Sequence, residues 1–258
     1  MNSLVAVDIG NSSVKLGWFP FEASRQLLPE SRVQNIPVNQ LDSQLWEDFC
    51  EMVDDSAHWV MASVNPDICQ RLQTAISNFS PDASVTVLQN RMLPIDTDVQ
   101  AMDQVGTDRL LAALAVTAIA PHSKPAIVID SGTAVTVDVI SPQGAFAGGV
   151  IMPGSALIAR ALKDGTAQLP QVVLDQNKAP SPIGKNTQEA ITAGIFWGLI
   201  GSINELVRQQ RLVLGDSTPV YVSGGDSWIA SHLDFECQSV SNLCLLGIAA
   251  AVEAGLRL

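Results

Sequence analysis

Basic residues are scarce in this chain: 14 Lys and Arg stand against 26 Asp and Glu over 258 residues, a formal charge of −12. Such a balance excludes a nucleic-acid backbone as the partner, because phosphate-rich polymers are recognised by clustered cations. Histidine is rarer still. His58, His122 and His232 are isolated and show no HExxH or other metal-ligand spacing, so they read as structural residues. The four cysteines, Cys50, Cys69, Cys237 and Cys244, form no CxxC pair and lie in apolar patterns. That excludes a disulfide framework and fits buried free thiols in a reducing, cytoplasmic compartment. No basic leader precedes the first strand signal, so no signal peptide is expected. The longest apolar stretches are broken by Gly, Thr or Asp short of the roughly 18 residues that a membrane span needs, so no membrane is expected either.

What is present is a globular composition, 47% hydrophobic and 16% charged. The length suits one large domain or two smaller ones, each with a core of its own. Apolar runs predict strands near residues 4–8, 14–19, 59–64 and 85–88. Between them Leu41, Leu45, Phe49 and Met52 recur at helical spacing, as do Ile68, Leu72, Ile76 and Phe79 behind Pro66. The run TDRLLAALAVTAIA after Gly106 predicts a third helix, with Thr107 as its N-cap. Residues 121–125, PHSKP, then read as a linker.

Beyond the linker the pattern restarts. AIVIDSGTAVTVDVI predicts two strands around a glycine corner, SPQG a turn, and AFAGGVIMPG a third strand. A helix over 155–163, a long helix from about Asn186, a strand in PVYVSGGD and a closing apolar helix from about Ser241 complete the chain. Asp8-Ile9-Gly10-Asn11-Ser12 matches Asp130-Ser131-Gly132-Thr133-Ala134 at an offset of 122 residues. Each copy stands at the start of its half between two strands, which points to an internal duplication.

The corners carry chemistry. Glycine lets backbone N–H groups approach a phosphate with no Cβ in the way. Ser12, Ser13, Thr133 and Thr136 add hydroxyl donors, and Lys15 adds a cation. Asp8 and Asp130 make sense beside phosphates only with a cation between, since hard cations take carboxylate oxygens. A single such corner serves equally well as a plain turn. VSGGD (222–226) offers bare backbone suited to a base or ribose, although any strand-to-helix turn uses glycine. Asp108 and Arg109 open the third helix. An acid there fits the helix dipole by about 0.3–1 kcal/mol, but an arginine works against it, which suggests that Arg109 binds an anion or pairs with Asp108. Both the dipole and Arg109 should hold the Asp108 pKa down. In IGKNTQEAITAG, Asn186 and Glu189 fit a capping box, which alone would account for both.

Together these motifs resemble the type III pantothenate kinases of the actin–sugar kinase–Hsp70 ATPase superfamily. The matching pieces are DIGNSSVK, GTDR, DSGTAVTVD, GGVIMPG, TAQLP, IGKNTQEAITAG and VSGGD, in family order from Asp8 to Asp226. The resemblance implies an α/β fold of two duplicated RNase H-like (actin-like ATPase) domains, 1–120 and 121–258. Each would be a mixed β-sheet flanked by helices, with a nucleotide cleft between them. It implies ATP-dependent phosphorylation of pantothenate to 4′-phosphopantothenate, the first step of coenzyme A biosynthesis, with Mg2+, a monovalent cation (K+ or NH4+) and a homodimer. Asp8, Ile9, Gly10, Asn11, Ser12, Ser13, Val14 and Lys15 would form the first ATP loop, and Thr133 would touch ATP from the second. Asp108 would accept the proton of the pantothenate hydroxyl, and Asp130 would bind the monovalent cation. Gly106, Thr107, Asp108, Arg109 and Thr187 would contact pantothenate. Val99 and Met102 stand where the family has Tyr and Pro, and Ala112 where it often has Asn. The alternatives are a kinase of the same superfamily with another small hydroxylated acceptor, or a nucleotide-binding regulatory homologue.

Overall fold

A computed structural model of the chain describes residues 3–20, 32–41, 44–54, 57–122, 124–176 and 178–256. The chain divides into two units, Met1–Ile119 with Leu243–Leu258, and Ala120–Asn242.

The first unit is built on a five-stranded sheet of β1 (Ser3–Ile9), β2 (Ser13–Pro20), β3 (Arg32–Pro37), β4 (His58–Ser63) and β5 (Ser84–Val87), in the order β3-β2-β1-β4-β5. The first three strands form an antiparallel meander, whereas β4 runs parallel to β1 and β5 parallel to β4. β1 is a near-continuous apolar run because it is central and covered on both faces. On one face Val5, Val7, Ile9, Val14 and Leu16 pack with Trp59 and Met61 against α1 (Gln44–Cys50) and α2 (Pro66–Phe79), which contribute Phe49, Ile68, Leu72 and Ile76. Pro66 opens α2, and the Asn65 side chain accepts from the Ile68 N–H at 3.3 Å, so the helix starts where its cap and proline place it. α3 (Thr107–Ile119) has every residue from Leu110 to Val116 buried.

Two differences from the sequence reading have simple causes. The helical spacing of Leu41, Leu45, Phe49 and Met52 extends past α1 at both ends, because Leu41 closes a 3₁₀ turn (Val38–Gln40) and only Gln44–Cys50 is helical. β3 was not legible, because RVQNIP alternates weakly and buries only Ile36 at the sheet edge.

The second unit repeats the plan. Its sheet of β6 (Ala126–Ser131), β7 (Ala134–Ile140), β8 (Phe146–Pro153), β9 (Val220–Ser223) and β10 (Gln238–Ser239) runs β10-β9-β6-β7-β8, the same order as the first sheet. The senses are conserved as well: an antiparallel meander, then parallel pairing of β6 with β9 and of β9 with β10. This is the duplication expected from the two corners, now carried by five strands in each copy. After α4 (Ser155–Asp164), α5 (Thr187–Leu214) lays Phe196, Leu199, Ile200, Ile203 and Val207 on Ile127, Ile129, Val135 and Val137. By length and composition alone α5 could cross a membrane, contrary to the expectation that no stretch would be long enough. Its buried face belongs to the core of the unit, and its last turns carry Glu205, Arg208 and Arg211.

The final helix, α6 (Leu243–Glu253), falls in the first unit, although the sequence division at 120/121 assigns it to the second. Its path is set by close packing on α3. A Cβ on Gly247 would run into the carbonyl oxygen of Leu111 and lie 2.6 Å from its carbonyl carbon. Only glycine permits that approach, and the obstruction is backbone that cannot step aside. Gly247→Ala should therefore destabilise the first unit by about 1–3 kcal/mol, read as a lower denaturant midpoint; an unchanged midpoint would show that the two helices have room to part.

Candidate functional site

The first corner is a tight turn between the central pair of strands. Ile9 pairs with Val14 and Asp8 with Lys15, and the Gly10 amide closes the turn on the Ser13 carbonyl at 3.0 Å. Asp8 and Lys15 are directly opposed and emerge on the same face of the sheet. Ile9 and Val14 have fully buried side chains, so each can offer a ligand only its backbone. Asn11 and Ser12 at the tip are exposed.

The second corner is one residue tighter. Gly132 donates to the Ala134 carbonyl at 2.9 Å, and the cross-strand partner of Asp130 is Thr136, where Asp8 has Lys15. The two copies therefore differ in charge at one register position: an acid faces a cation in the first and a hydroxyl in the second. Thr133 is exposed at the tip, and its carbonyl is held by the Gly154 amide at 3.0 Å. Gly224, at a φ of +101°, passes so close that a Cβ would lie 2.5 Å from Asp130 Oδ1 and would collide with the Ser131 carbonyl oxygen. The bare backbone of VSGGD is thus used at Gly224 for internal packing. Gly225 has open space where a Cβ would stand. Asp226 accepts from Ser155 Oγ and from Gln176 Nε2, both at 3.0 Å, so it ties the start of α4 to the end of β9.

Asp130 Oδ1 and the Ser131 carbonyl oxygen thus both stand beside Gly224, whereas the buried, unpartnered Ser131 hydroxyl belongs to the next strand position and points to the opposite face of the sheet. Among the described residues no group of three or more His, Cys, Asp or Glu is placed to hold a metal ion.

Asp108 occupies the first turn of α3, where Oδ1 accepts from the Arg109 amide at 2.9 Å. Thr107, expected as the N-cap, is instead the first helical residue, and the Arg109 amide reaches back to the Gly106 carbonyl at 3.1 Å. Thr107 is drawn out of the capping role because its hydroxyl donates to Asn90 Oδ1 at 2.7 Å. Gly106 has to be small, since a Cβ there would meet Asp108 Oδ1. The pKa of Asp108 goes opposite to the expectation. Desolvation of the half-buried carboxylate raises it, and this outweighs the Arg109 amide and guanidinium, which lower it. Gly106 and Thr107 also line a polar cavity of about 500 Å3 together with Ser63, Gln89, Arg91 and Asp103. Asn90 lines it too, and Asn90, Arg91 and Asp103 carried no motif, so their convergence was not readable from the chain.

Thr187 belongs to the second unit. It follows Asn186, whose Oδ1 accepts from the Glu189 amide at 3.0 Å, as a capping residue should. The reciprocal half of the box is shifted by one residue, since Glu189 Oε2 accepts from the Lys185 amide at 2.7 Å. Thr187 and Lys185 line a largely apolar groove of about 790 Å3 with Met152, Ile158, Leu162 and Ile191.

Two five-stranded mixed sheets of one order, each opening on an Asp-x-Gly corner, define a protein of the actin-like ATPase fold. The family follows from the matches. The sequence profile of the type III pantothenate kinases fits residues 4–209, and the chain belongs to that family. It is 31% identical over 258 residues to the type III pantothenate kinase of Janthinobacterium sp. (strain Marseille), covering 95% of both chains. It is also 31% identical over 229 residues to that of Dehalococcoides mccartyi (strain CBDB1), covering 86% of this chain and 84% of that one. Among solved structures, a Baf-family transcriptional activator from Campylobacter jejuni superposes with a TM-score of 0.62 at 20% identity, covering 98% of this chain and 100% of the other. The activator of 2-hydroxyisocaproyl-CoA dehydratase from Clostridium difficile, with ADPNP bound, gives 0.51 at 14% identity, covering 98% and 94%. These two share the fold.

The raised Asp108 pKa has a consequence for stability. The folded state binds its proton more tightly than the unfolded state does, so the native chain loses stability as pH rises through the window above the ordinary carboxyl value. Asp108→Asn, which cannot ionise, should raise the melting temperature at pH 7, with the gain vanishing below about pH 4. A lower melting temperature at pH 7 would contradict the dominance of desolvation.

Proposed function

We propose that this chain transfers the terminal phosphoryl group of ATP to the hydroxyl of pantothenate, giving 4′-phosphopantothenate, the first step of coenzyme A biosynthesis. The observation that carries the reading is Asp108, a partly desolvated carboxylate held by a backbone amide and following directly on Gly106 and Thr107, which line a polar cavity, in a chain of this family. A carboxylate has about four acceptor positions. With Oδ1 engaged by one amide, capacity remains to receive the hydroxyl hydrogen of the acceptor. Burial raises its basicity, which helps a group that must take a proton. Phosphoryl transfer passes through a loose transition state, so orientation of the attacking oxygen matters more than early deprotonation.

In this reading the bare amides of the first corner, with Ser12, Ser13 and Lys15, hold the phosphates, and Thr133 contacts ATP from the second. Asp130 takes a potassium or ammonium ion, with the nearby Ser131 carbonyl as a further oxygen. Magnesium enters with ATP and offsets the phosphate charge. The guanidinium of Arg109 holds the pantothenate carboxylate, for which its planar fork is suited, and Gly106, Thr107 and Thr187 complete the acceptor contacts. A cytoplasmic location is supported by the free thiols, of which Cys50 has its pKa pushed up to about 12 by burial, well out of the reactive range.

The enzyme is read as a homodimer through the exposed side of the second unit. Gly194, Gly198 and Gly201 leave open space along α5, and Trp197 and the edge-strand residue Ile151 are exposed at 39% and 60%. A flat helix face flanked by exposed large apolar groups suits a second copy of the same surface. Gly198→Gln should then turn a dimer into a monomer by light scattering; a monomeric wild-type chain would end this part of the reading.

The reaction is tested by a coupled assay of ADP release with pantothenate, with and without potassium, beside Asp108→Asn. Turnover should need pantothenate, rise with potassium, and fall by about 10²–10⁴-fold in the variant. Val99 and Met102 at the acceptor segment favour testing other small hydroxylated acceptors in the same assay. ADP release independent of any acceptor, or a fully active variant, would rule the mechanism out.

A further inference from the structure

A buried side chain outside every motif is bonded to the segment that leads to Asp108. We propose that Asn90 is a positioning residue for the acceptor-activating carboxylate, acting through the segment that leads into α3. This rests on the role given to Asp108 above.

Asn90 follows β5 by a short connection and opens a 3₁₀ turn, Asn90–Met92, with its side chain buried at 7% exposure. Its carboxamide is fully engaged with one stretch of chain. Nδ2 donates to the carbonyls of Met102 at 2.8 Å and Val105 at 2.7 Å, and Oδ1 accepts from the Thr107 hydroxyl at 2.7 Å. Both amide hydrogens and the oxygen are therefore spent on the six residues 102–107, immediately before Asp108. The backbone–backbone bonds of that stretch are local. The turn Met102–Gln104 closes through the Gln104 amide to the Ala101 carbonyl and the Val105 amide to the Met102 carbonyl, both at 3.1 Å, and no residue of it is buried. Asparagine is the side chain of this length that offers two donors and an acceptor in one plane. Buried bonds of this kind are costly to leave unmade, so they specify one arrangement of the segment rather than several. The chain of constraint runs from β5 through Asn90 to Thr107, and from there to a carboxylate whose own oxygen is tied one residue on, to Arg109.

Asn90→Asp keeps the size and the acceptor but sets a carboxylate against two carbonyl oxygens. Asn90→Ala removes all three bonds without that repulsion and carries the test if the first variant does not fold. In the full-length protein either variant should lower kcat by about 10- to 100-fold, with KM for ATP unchanged and amide exchange over 102–108 accelerated. Added to Asp108→Asn, neither should lower the residual turnover further, because a group acting through Asp108 then has nothing to position. A wild-type kcat in folded Asn90→Ala overturns the inference, as does a loss that multiplies with that of Asp108→Asn. A wild-type chain inactive on pantothenate, or an active Asp108→Asn, overturns the reaction itself, which is a separate outcome.

Discussion

Parallel pairing of a central strand on one side, with antiparallel pairing on the other, is the constraint from which the chemistry of each unit follows. β1 turns sharply back into β2, so the chain is forced through a tight corner at its end. On its other side it runs alongside β4, so the last residue of β4, Ser63, arrives level with Ile9. The connections that leave the parallel strands must start from that same end. Asp8, the Ser63–Val64 step and the Gln89–Asn90 turn therefore share one edge of the first sheet. Ligands of open α/β sheets gather at the carboxyl ends of parallel strands for this reason. The second sheet obeys the same rule: Asp130 stands level with Ser223, just before the glycines of VSGGD.

Within this frame the duplicated corners have diverged. The first keeps a longer tip and sets Lys15 opposite its aspartate, whereas the second is shorter and sets Thr136 there. A cation beside the carboxylate favours anion binding near the first corner. The second has a hydroxyl, and no cation, opposite its carboxylate. The protein as a whole is acidic, with a formal charge of −12. Handling a nucleotide under that net charge requires positive charge at defined points, and the asymmetry of the corners is one way to obtain it.

Close approach is the second theme. Gly224 lets β9 pass against Asp130, Gly154 lets α4 begin against the second corner, and Gly247 lets α6 lie on the backbone of Leu111. At each of these places a side chain as small as a methyl group would meet backbone atoms. Such positions convert a loose topology into a defined one, since backbone obstructions do not relax as side chains do.

The repeat, the strand-corner-strand units, the helix start at Pro66 and the cap at Asn186 were all written in local order: short motifs whose meaning depends on neighbours within a few residues. The family was legible for the same reason, because its pieces are contiguous. The tertiary structure alone decided three things. α6 returned to the first unit because its partner, Leu111, lies far away in the chain and no local signal names it. The pKa of Asp108 rose because desolvation depends on what surrounds the carboxylate in space, while its sequence neighbours, a helix start and an arginine, argue the other way. Asn90 became the clamp of residues 102–107 because hydrogen bonds across 12 to 17 positions leave no trace in composition or periodicity. Local propensity and motif are properties of the chain. Burial and long-range contact are properties of the fold, and they decide which of the motif residues are held ready to act.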